Sequence, residues 1–141
     1  MKQKGHLAGM LIAASLLTGC GSVVRSLPLP AAATASDTSG IAVYFGAQPH
    51  PDVKTSIGPR SESVRVSRGA QNEQPTCEQA LTEALNRLRI YAKNHGGNAI
   101  INVTTRFHEK RSDSTTEYTC GVSGSAGAIV VSGDVVQLKA K

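Results

Sequence analysis

Tryptophan is missing from the chain, and only five of its 141 residues are aromatic. A core built without large rings relies on small aliphatic side chains, so a further brace would matter. Charge is sparse too, at 18% of residues, with 15 basic against 10 acidic groups. Two of the bases, Lys2 and Lys4, sit at the extreme N-terminus ahead of an apolar run, and without them 13 bases face 10 acids. So small a surplus, with no aromatic interleaving, excludes a nucleic-acid-binding role. No apolar run reaches the roughly 20 residues that a bilayer span needs, which argues against a multi-span membrane protein. An apolar share of 40% is too high for wholesale disorder, and the length allows one ordinary domain rather than a large multi-domain enzyme.

Catalytic and metal-binding patterns are equally thin. His50, His95 and His108 are widely spaced, with no i, i+4 pair to hold an ion. His50 lies between prolines in a loop, and His95 ends a helix, where an imidazole suits the terminal carbonyls. His108-Glu109 with Asp113 is the one cluster that offers mixed ligands. No Cys-x-x-Cys pair occurs, and Gly96-Gly97 closes a helix where a phosphate loop must open one. Gly124-Ser125-Ala126-Gly127 lacks the strand-turn-helix setting of a nucleophile elbow. Asn102-Val103-Thr104 matches a glycosylation sequon. The expectation is a protein that is not an enzyme and carries no cofactor.

What is present begins at the N-terminus. Lys2, Lys4 and His6 precede Leu7 to Leu17, an apolar stretch of eleven residues with the length of a secretory h-region. Leu17-Thr18-Gly19-Cys20 resembles the lipobox of bacterial lipoproteins. That resemblance implies a signal peptide over 1–19, a diacylglyceryl thioether on Cys20, and acylation, for example by palmitate, of the amine that cleavage exposes. Two or three acyl chains make attachment lasting, where one would be marginal. No Asp follows Cys20, since Gly21 and Ser22 come next, and by the sorting rule of many two-membrane bacteria this directs the protein to the outer membrane.

Residues 20–40 read as the lipidated Cys followed by a flexible linker of small residues with Pro28 and Pro30, able to stretch to about 65 Å. From residue 41 to 141 the pattern is that of a domain. Ile41 to Phe45 reads as a strand ended by Gly46, and Ser63 to Ser67 as a second with Val64 and Val66 on one face. The stretch between them, with Ile57-Gly58-Pro59, reads as turns. Thr76 after Pro75, with Gln79 three residues on, predicts a capped helix start. Cys77, Ala80, Leu81, Ala84, Leu85, Leu88, Tyr91, Ala92 and His95 then form its inner stripe, with Arg89 and Ile90 outside it. Ala99 to Phe107 reads as a strand with Ala99, Ile101, Val103 and Phe107 on one face, returning through a polar turn into Thr115 to Val122 as a long hairpin. Lys110-Arg111 with Arg106 makes a basic tip, either simply solvated or touching an acidic partner or lipid headgroups. A bend over Gly121 to Gly127 follows, and the runs Ile129–Val131 and Val135–Leu138 then close the sheet. The order β-β-α-β-β-β predicts an α+β fold, one helix on a mainly antiparallel sheet of about five strands.

With Cys20 committed to lipid, Cys77 and Cys120 remain as a pair in an oxidising compartment. Both project toward the expected core, which is compatible with a disulfide pinning helix to sheet. A thiol in a helix's first turn also has the setting of a redox or nucleophilic group, so that reading stays open.

The layout as a whole is similar to the RcsF-like outer-membrane lipoprotein sensors of envelope stress, and to the small α+β domains of the YbjQ type. The likeness rests on the lipobox, the Ile41 to Phe45 strand, Ile57-Gly58, Val64 and Val66, the Ala/Leu helix, Gly97-Asn98-Ala99-Ile100, and the Cys before the final Val-Val-x-Leu strand. RcsF-like domains hold four Cys in two disulfides, whereas only Cys77 and Cys120 stand here. The resemblance implies a non-catalytic periplasmic module that is anchored to the membrane by lipid and touches other envelope or outer-membrane proteins. The alternative reading is a small-ligand or metal-binding oligomeric domain using His108, Glu109 and Asp113.

Overall fold

A computed structural model describes residues 21–140. The expected signal peptide over 1–19 and the lipidation site Cys20 lie outside the described residues.

Seven strands form one mixed sheet against a single long helix. In chain order the elements are β1 Val23–Pro28, the short helix α1 Ala31–Thr34, β2 Ala42–Phe45, β3 Val53–Ser67, α2 Glu73–Asn94, β4 Ala99–Phe107, β5 Lys110–Ser112, β6 Glu117–Val122 and β7 Ala126–Leu138. The long strand β7 is the spine. One of its edges pairs along its whole length with β3, and the other is shared by β6 at Gly127–Ala128 and by β4 from Val130 to Val136. Every pairing is antiparallel except β2 with β4. The α+β class therefore stands and antiparallel pairing predominates, with two more strands than expected and one parallel pair, β2 with β4, that makes the sheet mixed.

The helix begins a turn earlier than the capping pattern implied. Pro75 falls in its first turn, where the missing N–H would have had no partner anyway. Thr76 is thus inside the helix, and its hydroxyl turns back to donate to the Asn72 carbonyl at 2.8 Å. At the other end Gly96 takes φ 80°, and the Gly97 N–H bonds the Ala92 carbonyl at 2.8 Å, closing the helix with a left-handed residue. The inner stripe is buried from Cys77 to Ala92 but reaches only halfway over Tyr91, while His95 is exposed. Ile90 points outward, 61% exposed.

The core lies between α2 and one face of the sheet. Leu81, Leu85 and Leu88 meet Val43, Phe45, Val64, Val66, Ile100, Val103, Ile129, Val131 and Val135 there. Truncating one such leucine to Ala costs about 2–5 kcal/mol. Ala99 and Ile101 do not join this cluster. They pack with Val136 and Leu138 in a second one, beside Ala42 and Tyr44. The cause is a bulge: Asn102 takes φ 53°, the β4–β7 register slips between Ile101 and Thr104, and the side-chain alternation inverts. The face expected to unite Ala99, Ile101, Val103 and Phe107 is therefore split. Phe107 leaves the core as well, and its ring covers Gly121 so closely that a Cβ there would lie 2.2 Å from it.

Two other expectations are corrected. Ile57-Gly58-Pro59 belongs to β3, which tolerates proline because only one of its edges is paired and because bulges at Val53/Thr55 and Ser56/Gly58 absorb the irregularity. The two closing runs form one strand through Ser132-Gly133-Asp134. Gly133 stays in β7 because the Ile100 side chain would lie 2.6 Å from any Cβ. The long hairpin is also absent: β4 turns tightly into β5 through His108, at φ 51°, and β6 pairs with β1 and β7 instead.

The largest correction concerns residues 21–40. This segment is not a free linker. β1 runs antiparallel along β6 from Val23↔Val122 to Pro28↔Glu117. Leu27 and Leu29 pack on the core, and Ala33 is buried within it. The strand was hidden because its side chains are nearly all exposed, so no alternation marks it.

Candidate functional site

Cys77 and Cys120 are joined by a disulfide, with their Cα atoms 6.0 Å apart. Cys77 stands in the second turn of α2, and Cys120 faces it from β6, where it pairs with Arg25 of β1. Both residues are fully buried. Thiol exchange requires a path for an attacking sulfur, so this bridge is built as a brace between helix and sheet. Gly127 lets the helix approach, since the Thr76 methyl would meet a Cβ there at 2.8 Å.

The former linker is fastened at several points. The Arg25 guanidinium grips the Glu73 carboxylate at 2.7 and 3.3 Å, tying β1 to the helix start. That hydrogen bond, with the attendant charge attraction, holds the Glu73 carboxyl below the ordinary carboxylate range. Arg89, expected outside the buried stripe, is only 5% exposed. It donates to the Ala35 carbonyl at 3.1 Å and faces Asp37 at 3.6 Å. The Ser39 hydroxyl and N–H both donate to Asp37. These bonds, led by the hydroxyl's and helped by Arg89, hold the Asp37 carboxyl below its ordinary value.

The Gly97-Asn98-Ala99 stretch has a structural task. The Asn98 amide donates to the Leu138 carbonyl at 3.1 Å and accepts from the Leu138 N–H at 2.7 Å, acting as one more backbone partner for β7. Gly97 sits where a Cβ would press on Val135, the Val136 carbonyl and Ile57.

Histidines and acids are dispersed. His50 Nδ1 lies 2.8 Å from the Pro51 carbonyl, and His95 Nδ1 lies 2.8 Å from the Tyr91 carbonyl at the helix end. Among the described residues no three His, Cys, Asp or Glu side chains gather as an ion would require. His108 and Glu109 line one depression, whereas Asp113 lines another with Gly46, Asn102 and Arg111. The structure therefore does not bring His108, Glu109 and Asp113 together.

What it does bring together is the basic hairpin tip and the N-terminal strand. Val24, Arg106, Phe107, His108, Glu109 and Lys110 line a depression of about 750 Å³. Val23 and Val24 are 45% and 39% exposed, two of the four exposed large apolar side chains among the described residues. Arg106 faces Arg111 directly across the β4–β5 ribbon. Like charges in that register repel, and among the described residues neither arginine forms an ion pair. The charge cluster was readable in the sequence. Its meeting with Val24 was not, because it depends on β1 pairing with β6. No described helix is long and apolar enough to cross a membrane.

No protein-family model, curated protein or solved structure matches this chain.

Proposed function

We propose that the protein is a lipid-anchored module of the periplasmic side of the outer membrane, acting by contact with other envelope proteins in the manner of an envelope-stress sensor, without catalysis. The observation that carries this reading is the allocation of the three cysteines. Two close one buried bridge, and the third ends the Leu17-Thr18-Gly19-Cys20 pattern. Disulfides persist in oxidising compartments, and a thiol at the end of a lipobox is an acceptor for diacylglycerol. The similarity of the layout to RcsF-like lipoproteins supports the sensor role. The folded surface around the N-terminal strand supports contact as the mode of action.

Intact-mass measurement of the native product tests the anchor: the expected species starts at Cys20 and carries acyl chains. An unmodified thiol, or a start elsewhere, overturns the reading. Crosslinking in cells followed by mass spectrometry tests the rest, with envelope proteins as the expected partners. Recovery of no envelope protein from lipidated material would remove the sensor role.

A further inference from the structure

Resting on the lipid-anchor reading, the geometry points to a second membrane contact: the β4–β5 tip, with Val24 of β1, forms a surface that lies on anionic lipid headgroups. Only Gly21 and Ser22 separate Cys20 from β1. Three virtual bonds of 3.8 Å hold the Cys20 and Val23 Cα atoms within about 11 Å of one another. A domain of about 100 residues has a radius of gyration near 13 Å, so so short a tether leaves it no room to stand clear of the bilayer. β1 is paired along its length with β6, and Arg25 clamps it to Glu73, so the tether leads straight into a rigid body.

The surface at that end suits a headgroup layer. Val24, 39% exposed, supplies apolar contact beside Phe107, whose ring is held over Gly121. Arg106, Lys110 and Arg111 supply cations, with Glu109 at the tip as the opposing charge. The repulsion between Arg106 and Arg111 is relieved by an anion lying over both. Phosphate groups of anionic lipids are the anions within reach of the tether.

Three Cys positions are occupied by lipid and disulfide, so an introduced cysteine is the sole free thiol for a dye. The lipidated chain with Glu109→Cys or Asp52→Cys is placed in phosphatidylcholine vesicles containing phosphatidylglycerol and a headgroup-linked quencher. Asp52 lies at the far end of β7, where its carbonyl accepts from Lys139. Ten residues of β7, about 33 Å, separate that end from the Val24–Gly121–Ala128 level. The label at 109 should be quenched strongly and that at 52 weakly, because the two ends stand about 33 Å apart along β7. The variant R106E/K110E/R111E, and vesicles of phosphatidylcholine alone, should each lower the ratio of quenching at 109 to that at 52. Equal quenching at both positions, on a sample whose mass shows acylated Cys20, overturns the contact and leaves the anchor standing. So does a ratio indifferent to both charge changes. A mass without acyl chains removes the anchor and this inference together.

Discussion

At the scale of single residues, Asn98, Gly46 and Tyr118 show how differently buried polar atoms and tight corners are handled. The Asn98 amide satisfies both backbone groups of Leu138, so its loss leaves two partly buried groups unpaired. Asn98→Ala should lower unfolding free energy by about 1–3 kcal/mol, read from the denaturant midpoint at unchanged slope. Gly46 takes φ 55°, and the Asp113 carbonyl would lie 2.0 Å from a Cβ, so no side chain fits without moving the β5–β6 loop. Tyr118 is the opposite case. It is completely buried, its hydroxyl has no partner among the described residues, and burial with Glu78 nearby pushes its phenol up. Tyr118→Phe keeps the ring and removes the stranded oxygen, so stability should hold or rise. A loss of more than about 1 kcal/mol in the same denaturation experiment would reveal a partner for that hydroxyl.

At the scale of elements, the disulfide and the docked N-terminal segment hold the helix to the sheet. The bridge closes a sequence separation of 43 residues, which by the chain-entropy argument contributes about 4 kcal/mol. The double variant Cys77→Ala/Cys120→Ala should lose stability of that order in thermal or denaturant unfolding. Residues 35–39 dock through Arg89 and Asp37. The folded Asp37 carboxyl lies below its unfolded value, so its contribution is fully present above the ordinary carboxylate range. It disappears as pH falls through the depressed folded value. Asp37→Asn should therefore lower stability at neutral pH and flatten the acid limb of a stability-against-pH series, with wild type and variant converging in strong acid. These elements also mark what the sequence could reveal. The helix was legible because Leu81, Leu85 and Leu88 recur at a spacing that only a helix aligns. The shared inward projection of Cys77 and Cys120 was compatible with a bridge but left a redox thiol open, and the structure shows the bridge. β1 was illegible because its order comes from β6, some ninety residues away, rather than from its own pattern. The face inversion in β4 was hidden because nothing distinguishes an Asn at a left-handed bulge from one in a strand. Arg89 read as surface because its cover, Ala35 and Asp37, lies in a segment that looked like linker.

At the scale of the whole molecule, the rigid body begins at β1, with only Gly21 and Ser22 between it and Cys20. A flexible tether of twenty residues averages about 25 Å end to end, enough to let the domain tumble above the headgroups. Under the proposed anchor at Cys20, a tether of two residues would confine the domain, so that geometry would set orientation and charge would set contact. The two effects separate when the tether is lengthened. Inserting twenty Gly/Ser residues between Ser22 and Val23 leaves every described pairing intact, so unfolding free energy should not change. In low salt the labels at 109 and 52 should still differ in headgroup quenching, because Arg106, Lys110 and Arg111 attract anionic lipid. In high salt, where such attraction is screened over about 3 Å at 1 M, the inserted chain should lose the difference altogether. The uninserted chain should keep part of it, because its orientation is imposed by the connection to β1. If both chains lose the difference equally, the short tether exerts no control over orientation, and the rigid connection through β1 has no bearing on how the domain meets the membrane.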